Sequence, residues 1–154
     1  MKTILIASDH AGFSLKERLK DYLAKIDYAP RDLGTYSLDS CDYPDFAAAL
    51  AREISRGKFK QGIIICKSGI GSSIIANRFP GVLAALCYNT KAARLSREHN
   101  DSNVLVLGSA FVRPDAAKKI LGIWLKTKFP GVARHLRRLN KIKKIEEGIR
   151  GKTY

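Results

Sequence analysis

The sequence predicts an α/β fold in which five parallel strands form a doubly wound sheet between two layers of helices. Short apolar runs alternate along the chain with segments whose apolar residues recur at helical spacing. Within the apolar runs, polar residues do not occupy every second position, which is typical of parallel strands buried on both faces. Right-handed crossovers then favour a doubly wound sheet, for which we expect the strand order 2-1-3-4-5.

The predicted elements follow one another from the first residues to the last. Strands are predicted at 4–7, 28–33, 62–66, 82–87 and 103–108, and the run at 62–66 is the clearest. Apolar residues at 15–26 have helical spacing, and Asp42-Tyr43-Pro44-Asp45 is a typical helix start. A helical segment is predicted to follow residues 67–71 and to end at residue 78. Further helices are predicted at 90–98, 114–128 and 132–149. We expect a single domain, 1–154, because this length suffices to bury a core.

The composition restricts the class of protein. Lys and Arg number 28 against 14 Asp and Glu, a net charge of +14. Such a charge favours an anionic partner: nucleic acid, an anionic surface or a phosphorylated metabolite. Eight of the basic residues lie in the segment 134–152, which is also consistent with a solvated C-terminal helix.

The sequence also indicates where the protein works. Its apolar runs are too short for a membrane span or a signal peptide, so we expect a cytoplasmic protein without a membrane partner. Three cysteines without a CxxC pair argue against a disulfide framework and a structural zinc site.

Two polar sequences follow predicted strands 1 and 3, which flank the point where the strand order reverses. Asp9-His10 follows the first strand, and residues 66–71, Cys-Lys-Ser-Gly-Ile-Gly, follow the third. Ligands bind beyond such strand ends, and glycines allow backbone N–H groups to approach an anion. The sequence 66–71 matches neither a Walker A loop nor a GxGxxG fingerprint.

The residue types at these positions suggest chemistry. A thiol before a helix ionises more readily, so Cys66 could be reactive; the alternative is a small buried hydrophobe, and spacing leaves the two even. For Cys41 and Cys87 we favour packing. The histidines at 10, 99 and 135 all have polar or basic neighbours, which is typical of a site that works near neutral pH. Arg134 and Arg138 share a helix face, and two guanidinium groups there suit a phosphate.

Taken in order, five motifs resemble those of the ribose-5-phosphate isomerase B family. They are Asp9-His10-Ala11-Gly12, Asp42-Tyr43-Pro44, Cys66-x-Ser68-Gly69-Ile70-Gly71-x-Ser73-Ile74-x-Ala76-Asn77, Arg97-x-His99-Asn100-Asp101-x-Asn103 and Arg134-His135-x-x-Arg138. The resemblance covers nearly the whole chain. It implies a Rossmann-like sheet, no metal and no organic cofactor. It also implies a homodimer or tetramer with the active site at the subunit interface and a C-terminal helix that extends to the partner subunit.

The resemblance implies an activity and a role for each motif residue. The activity is the interconversion of ribose 5-phosphate and ribulose 5-phosphate through an enediolate, a step of the pentose phosphate pathway. Cys66 is the implied base, Ser68 the residue that hydrogen-bonds the reacting oxygens, and Asp9 with His99 the pair that opens the sugar ring. The implied substrate-binding residues are His10, Tyr43, Lys67, Gly69, Ile70, Gly71, Asn100, Arg134 and Arg138.

Two departures from the family pattern leave alternatives open. Lys67 stands where glycine is usual, and Ala110 stands where a phosphate-binding arginine is common, with Arg113 as a candidate replacement. One alternative is therefore an isomerase of a six-carbon sugar phosphate such as allose 6-phosphate. The other is a non-catalytic basic protein that binds nucleic acid through its C-terminal helix. The second gives no reason for Asp9, Cys66 and His99 to occur together.

Overall fold

In the computed structural model, which describes residues 1–151, the predicted alternation of strands and helices is present throughout. The strands are β1 (Lys2–Ser8), β2 (Tyr28–Asp32), β3 (Gly62–Cys66), β4 (Ala84–Leu86) and β5 (Val104–Gly108). The helices are α1 (Phe13–Lys25), α2 (Tyr43–Ser55), α3 (Ile70–Ala76), α4 (Thr90–Asn100), α5 (Pro114–Lys126) and α6 (Ala133–Arg150). Each predicted element is found, with ends that differ by a few residues.

The strands form one parallel sheet with the order β2-β1-β3-β5-β4. The α/β class and the doubly wound parallel sheet are confirmed, but the last two strands are exchanged relative to the predicted order 2-1-3-4-5. The physical reason lies in their burial. All five residues of β5 are buried, and β5 pairs with β3 on one side and β4 on the other. The three residues of β4 are only half-buried, which suits the edge of a sheet.

Helices cover both faces of the sheet, so the fold has three layers. On one face, α1, α4 and α5 pack against one set of strand side chains, and Trp124 is fully buried there. On the other face, α2 and α3 pack against the alternate set. Successive residues of a strand point to opposite faces, so both sets must be apolar. This explains why the predicted strands are continuous apolar runs.

Helix α6 lies outside these layers. His135 is its one buried residue, whereas Leu136, Ile142, Ile145 and Ile149 are exposed apolar side chains. These exposed side chains form an apolar surface of the kind that is typical of an interface. Its predicted extension to a partner subunit stays a prediction, as does the single domain over 1–154. Residue 152 of the basic segment lies outside the described residues.

No helix within residues 1–151 combines the length and the apolar character needed to cross a bilayer.

Candidate active site

A cavity of about 450 Å³ lies beyond the carboxyl ends of β1 and β3. Asp9, His10 and Ala11 form one wall, and residues 41–45, which lead into α2, form the other. Lys67 also lines the cavity. The position is the one predicted from the strand order, because β1 and β3 are neighbours whose connections leave in opposite directions.

The first wall is fixed by two close contacts. The Asp9 carboxylate is almost fully buried, and its Oδ1 accepts a hydrogen bond from the Gly12 N–H at 3.0 Å. Gly12 itself lies against the carbonyl of Ile65 in β3, where a Cβ would not fit. The residues that follow β1 are therefore held against the end of β3, next to Cys66.

The ring of His10 is oriented by the second wall. Its Nδ1 lies 3.2 Å from both the backbone N and the backbone O of Cys41. A neutral ring can accept from that N–H, and a protonated ring can donate to that carbonyl. The Nδ1 atom thus has a partner in either state, which leaves Nε2 for a ligand.

The residues after β3 form a tight turn around the Cys66 thiol. Cys66 is buried, and the Gly69 N–H donates to its Sγ at 3.2 Å. The Ile70 N–H donates to the Ser68 hydroxyl oxygen at 3.1 Å. Gly69 has φ near +81°, a left-handed conformation that favours glycine. An N–H that donates to sulfur stabilises negative charge on it, so the turn suits a thiolate.

Three donors hold the carbonyl groups of this turn. The Ser109 and Ala110 N–H groups donate to the carbonyls of Cys66 and Lys67, each at 2.9 Å. The Tyr88 hydroxyl donates to the carbonyl of Ser68, also at 2.9 Å. The C=O and N–H of a trans peptide point in opposite directions. The N–H groups of residues 67–69, which share peptide groups with these three carbonyls, therefore face away from the three donors.

The turn and the cavity are adjacent. The ring of Tyr43, in the second wall, lies so close to Gly71 that a Cβ on Gly71 would overlap it. The structure therefore brings together the predicted residues of three motifs: Asp9, His10, Tyr43, Cys66, Lys67, Ser68, Gly69, Ile70 and Gly71.

A second group of predicted residues lies where α4 and α6 meet, and we call it the α4–α6 cluster: His99, Asn100, Arg134, His135 and Arg138. The rings of His99 and His135 stack with centroids 4.2 Å apart and an interplanar angle of 16°. Burial lowers the pKa of His135, and the charges of His99, Arg134 and Arg138 lower it further. Asn100 lines a small cavity beside α6 together with Leu139 and Ile142. The cluster is strongly cationic.

Within one chain, the α4–α6 cluster and the cavity lie at opposite ends of the sheet. His99 is in the last turn of α4, shortly before Val104 begins β5. Cys66 pairs with Gly108 at the other end of β5. Four residues of extended strand separate these ends by about 13 Å. Within one chain, the predicted site residues therefore form two separate groups, which we call half-sites.

Some residues that shape the site carry no signal in the sequence. Cys41 touches His10, and Tyr88 holds Ser68, through contacts that only folding creates. Cys87 is buried, and burial raises the pKa of its thiol to about 11, in line with a packing role. Arg113 directly precedes α5 and does not line the cavity, so its compensation for Ala110 stays a prediction. Among residues 1–151, no three His, Cys, Asp or Glu side chains are placed to hold a metal ion.

Comparison with known proteins agrees with this architecture. The family model described as Ribose/Galactose Isomerase matches residues 4–142. The chain belongs to this family. It is 40% identical over 147 residues to ribose-5-phosphate isomerase B of Escherichia coli (strain K12), covering 96% of this chain and 98% of that protein. It is also 38% identical over 135 residues to D-erythrulose-4-phosphate isomerase of Pectobacterium atrosepticum, covering 85% of this chain and 87% of that protein.

Solved structures of the family superimpose closely on this chain. Ribose-5-phosphate isomerase B of Clostridium thermocellum has a TM-score of 0.92 at 46% identity, covering 96% of this chain and 99% of that one. The Mycoplasma genitalium enzyme with bound ribulose-5-phosphate has a TM-score of 0.90 at 41% identity, covering 94% and 96%. The proteins named ribose-5-phosphate isomerase B are aldose–ketose isomerases, and the chain is an enzyme of that type.

Proposed function

We propose that the chain interconverts ribose 5-phosphate and ribulose 5-phosphate, with Cys66 as the base. The observation that carries the proposal is the Cys66 thiol, held by the Gly69 N–H beside a cavity whose lining includes Asp9, His10 and Lys67. The family relatives named for this reaction, one of them with bound ribulose-5-phosphate, support the choice of substrate.

The chemistry follows from the open-chain sugar. The thiolate of Cys66 removes the proton from C2 of the aldose, and the electron pair moves toward O1 to give an enediolate. The hydroxyl proton then moves from O2 to O1. The Cys66 thiol returns its proton to C1, and the carbonyl forms at C2 to give the ketose. The Ser68 hydroxyl hydrogen-bonds the reacting oxygens. Within residues 67–71, backbone N–H groups other than those of Gly69 and Ile70, which bind Cys66 Sγ and Ser68 Oγ, stabilise the oxyanion that develops.

The remaining roles need both half-sites. Asp9 and His99 act as acid and base to open the furanose ring. Asn100 binds sugar hydroxyls, Tyr43 lines the sugar site, and the phosphate is bound by three residues: His10, Arg134 and Arg138. A single chain keeps His99 far from Asp9, so we propose that the α4–α6 cluster of one copy covers the cavity of another.

Charge and surface chemistry support this assembly. The cavity wall carries the carboxylates of Asp9, Asp42 and Asp45, whereas the α4–α6 cluster is cationic. The exposed apolar side chains of α6 need a partner surface. A two-fold axis generates two equivalent sites in a homodimer, and a tetramer is two such dimers.

We further propose that the enzyme acts in the cytoplasm without a metal or an organic cofactor. All three cysteines are free thiols, which suits a reducing compartment. The proposed proton transfers use only side chains of the protein and the substrate's own oxygens, so no further group is needed to balance the reaction.

A coupled assay tests the proposal. We expect kcat/KM to be highest for ribose 5-phosphate when aldose phosphates of four, five and six carbons are compared. Cys66→Ala should lower kcat by a factor of about 10² to 10⁴, the usual contribution of a general base. Cys87→Ala is the matched control, because it removes another buried thiol outside the site, and its kcat should stay close to wild type.

Three results would overturn the proposal. A higher kcat/KM for a six-carbon phosphate such as allose 6-phosphate would transfer the assignment to that substrate. An unchanged kcat in correctly folded Cys66→Ala would remove the cysteine mechanism. A protein without any isomerase activity that shows a salt-dependent shift of nucleic acid in a gel would favour the non-catalytic alternative.

A further inference from the structure

Tyr88 is an aromatic residue beyond the end of β4. It contacts the turn formed by residues 66–71, which we call the catalytic turn because of the role proposed for Cys66. Its ring stacks on Phe111, with centroids 5.3 Å apart and an interplanar angle of 30°. Its hydroxyl donates to the carbonyl oxygen of Ser68 at 2.9 Å. The stack fixes the ring, so the hydroxyl is aimed at that one carbonyl.

The Ser68 carbonyl belongs to the same peptide group as the Gly69 N–H. A trans peptide is planar, so a donor that holds its oxygen also fixes the direction of its N–H. This N–H donates to Sγ of Cys66 at 3.2 Å. One rigid peptide group therefore links the Tyr88 hydroxyl to the Cys66 sulfur.

The peptide needs such a restraint. Gly69 is at φ near +81°, and glycine has the widest backbone freedom of all residues, so its own conformation does not hold the N–H in place. The carbonyls of Cys66 and Lys67 are held by backbone N–H groups, but the Ser68 carbonyl is held by a side chain. A hydrogen bond at the carbonyl also polarises the peptide and strengthens the bond that its N–H donates.

We propose that Tyr88 is a positioning residue for Cys66: through the Ser68–Gly69 peptide, its hydroxyl holds the Gly69 N–H on the Cys66 sulfur. The inference rests on the proposed role of Cys66 as base. Tyr88 does not act on the substrate itself. Its effect is on the sulfur, because the N–H that it holds stabilises negative charge there.

Other ionisable groups face the same edge of the sheet, and the test must separate them from Tyr88. Asp9 and His10 come from the end of β1, Lys67 from the turn itself, and Asp42, Tyr43 and Asp45 from the start of α2. The end of β5, residues 108–112, carries no ionisable side chain. Substitution of the Tyr88 hydroxyl leaves all of these groups unchanged.

Tyr88→Phe is the direct test, because it keeps the stack on Phe111 and removes one hydroxyl. The thiolate of Cys66 is measured by ultraviolet absorbance against pH, as the difference between each protein and the same protein with Cys66→Ala. We expect the thiolate curve and the acidic limb of kcat/KM to shift together to higher pH. At a fixed pH on that limb, kcat/KM should fall about three- to tenfold, the effect of one lost hydrogen bond.

Tyr36→Phe is the matched control. The Tyr36 hydroxyl also donates to a backbone carbonyl, that of Asp32 at 3.1 Å, but it lies outside the catalytic turn. The Tyr36→Phe substitution should leave the thiolate curve and the pH profile of kcat/KM unchanged. Thermal unfolding and size-exclusion chromatography check that both variants keep the fold and the assembly of the wild type.

The outcomes separate this inference from the proposed function. If Tyr88→Phe leaves the thiolate curve where it is in the wild type, while Cys66→Ala abolishes activity, the positioning role is wrong and the isomerase mechanism stands. If Cys66→Ala keeps full activity, the mechanism is wrong, whatever the thiolate curve of Tyr88→Phe shows. An equal shift in Tyr36→Phe would also overturn the inference, because it would indicate a general loosening of the protein.

Discussion

At the scale of single residues, the turn at residues 66–71 depends on close backbone approach. Gly108, at the end of β5, lies directly under the Ser68 peptide, and a Cβ there would overlap the Ser68 carbonyl. The obstacle is backbone, so no side chain can rotate away to make room. The glycine therefore allows Tyr88 and the Cys66 thiol to meet the same peptide group from its two ends.

Gly108→Ala should displace the Ser68–Gly69 peptide. We expect a loss of about 1–3 kcal/mol in the free energy of unfolding, as for other overpacked sites. The Gly69 N–H should move off the Cys66 sulfur, so kcat should fall at least about tenfold, the equivalent of one strong hydrogen bond. Urea unfolding and steady-state kinetics measure the two effects. Gly148→Ala, at a position with open space, is the control, and equal kcat in the two variants would contradict the argument.

At the scale of elements, α1 is joined to β2 and to the segment after it by one buried ammonium group. Lys16 is fully buried, and its Nζ donates to Asp32 Oδ1 and to the Thr35 carbonyl, each at 2.6 Å. Burial opposes ionisation of Asp32, but hydrogen bonds from Lys16, Lys20 and the Gly34 N–H hold the pKa of its carboxyl below the ordinary value. This part of the stability is therefore present above the ordinary pKa and is lost as the pH falls through the lowered one.

Lys16→Met should cost far more stability than Lys20→Met, although both lysines bind the same carboxylate. Removing Lys16 leaves the Thr35 carbonyl without its donor and leaves Asp32 with the partly exposed Lys20 as its remaining lysine partner, for which we expect a loss of about 3 kcal/mol. Lys20 is partly exposed, so its loss should cost about 1 kcal/mol or less. Urea unfolding at neutral pH gives both values. Similar losses in the two variants would show that the burial of Lys16 does not determine its contribution to the free energy of unfolding.

At the scale of the whole molecule, the assembly that we propose accounts for the apolar surface that α6 exposes. The cavity and the α4–α6 cluster are at opposite ends of one sheet, and each lacks what the other carries. The first has the carboxylates and the thiol, and the second has the histidine pair and two arginines. The two-fold assembly that we propose would bring the halves together twice.

Mixing two inactive variants tests the split site. Cys66→Ala disables one half-site and His99→Asn the other, so each homodimer should be inactive. Random pairing puts half of the subunits into mixed dimers, in which one of the two sites is intact. Unfolded and refolded together, the variants should therefore recover about one quarter of the wild-type kcat per subunit. No recovery in properly assembled mixed dimers would mean that each chain builds its own site.

The sequence by itself determined the layers, the elements and the cavity wall of the site. Continuous apolar runs allow only strands buried on both faces, and the residues after β1 and β3 must meet because those strands are neighbours. The exchange of β4 and β5 could not be predicted, because local patterns do not specify which strand is the neighbour of which. Burial decided it: the longer, wholly apolar β5 takes the inner position.

Cys66 shows the same division most clearly. Its place at the end of a strand was enough to single it out, but not to separate a chemical role from a packing role. Two contacts around it come from residues distant in sequence: the Ser109 N–H donates to the Cys66 carbonyl, and the Tyr88 hydroxyl holds the Ser68–Gly69 peptide. Such contacts depend on which strands are neighbours in the folded sheet. For this reason only the tertiary structure decided the surroundings of the thiol.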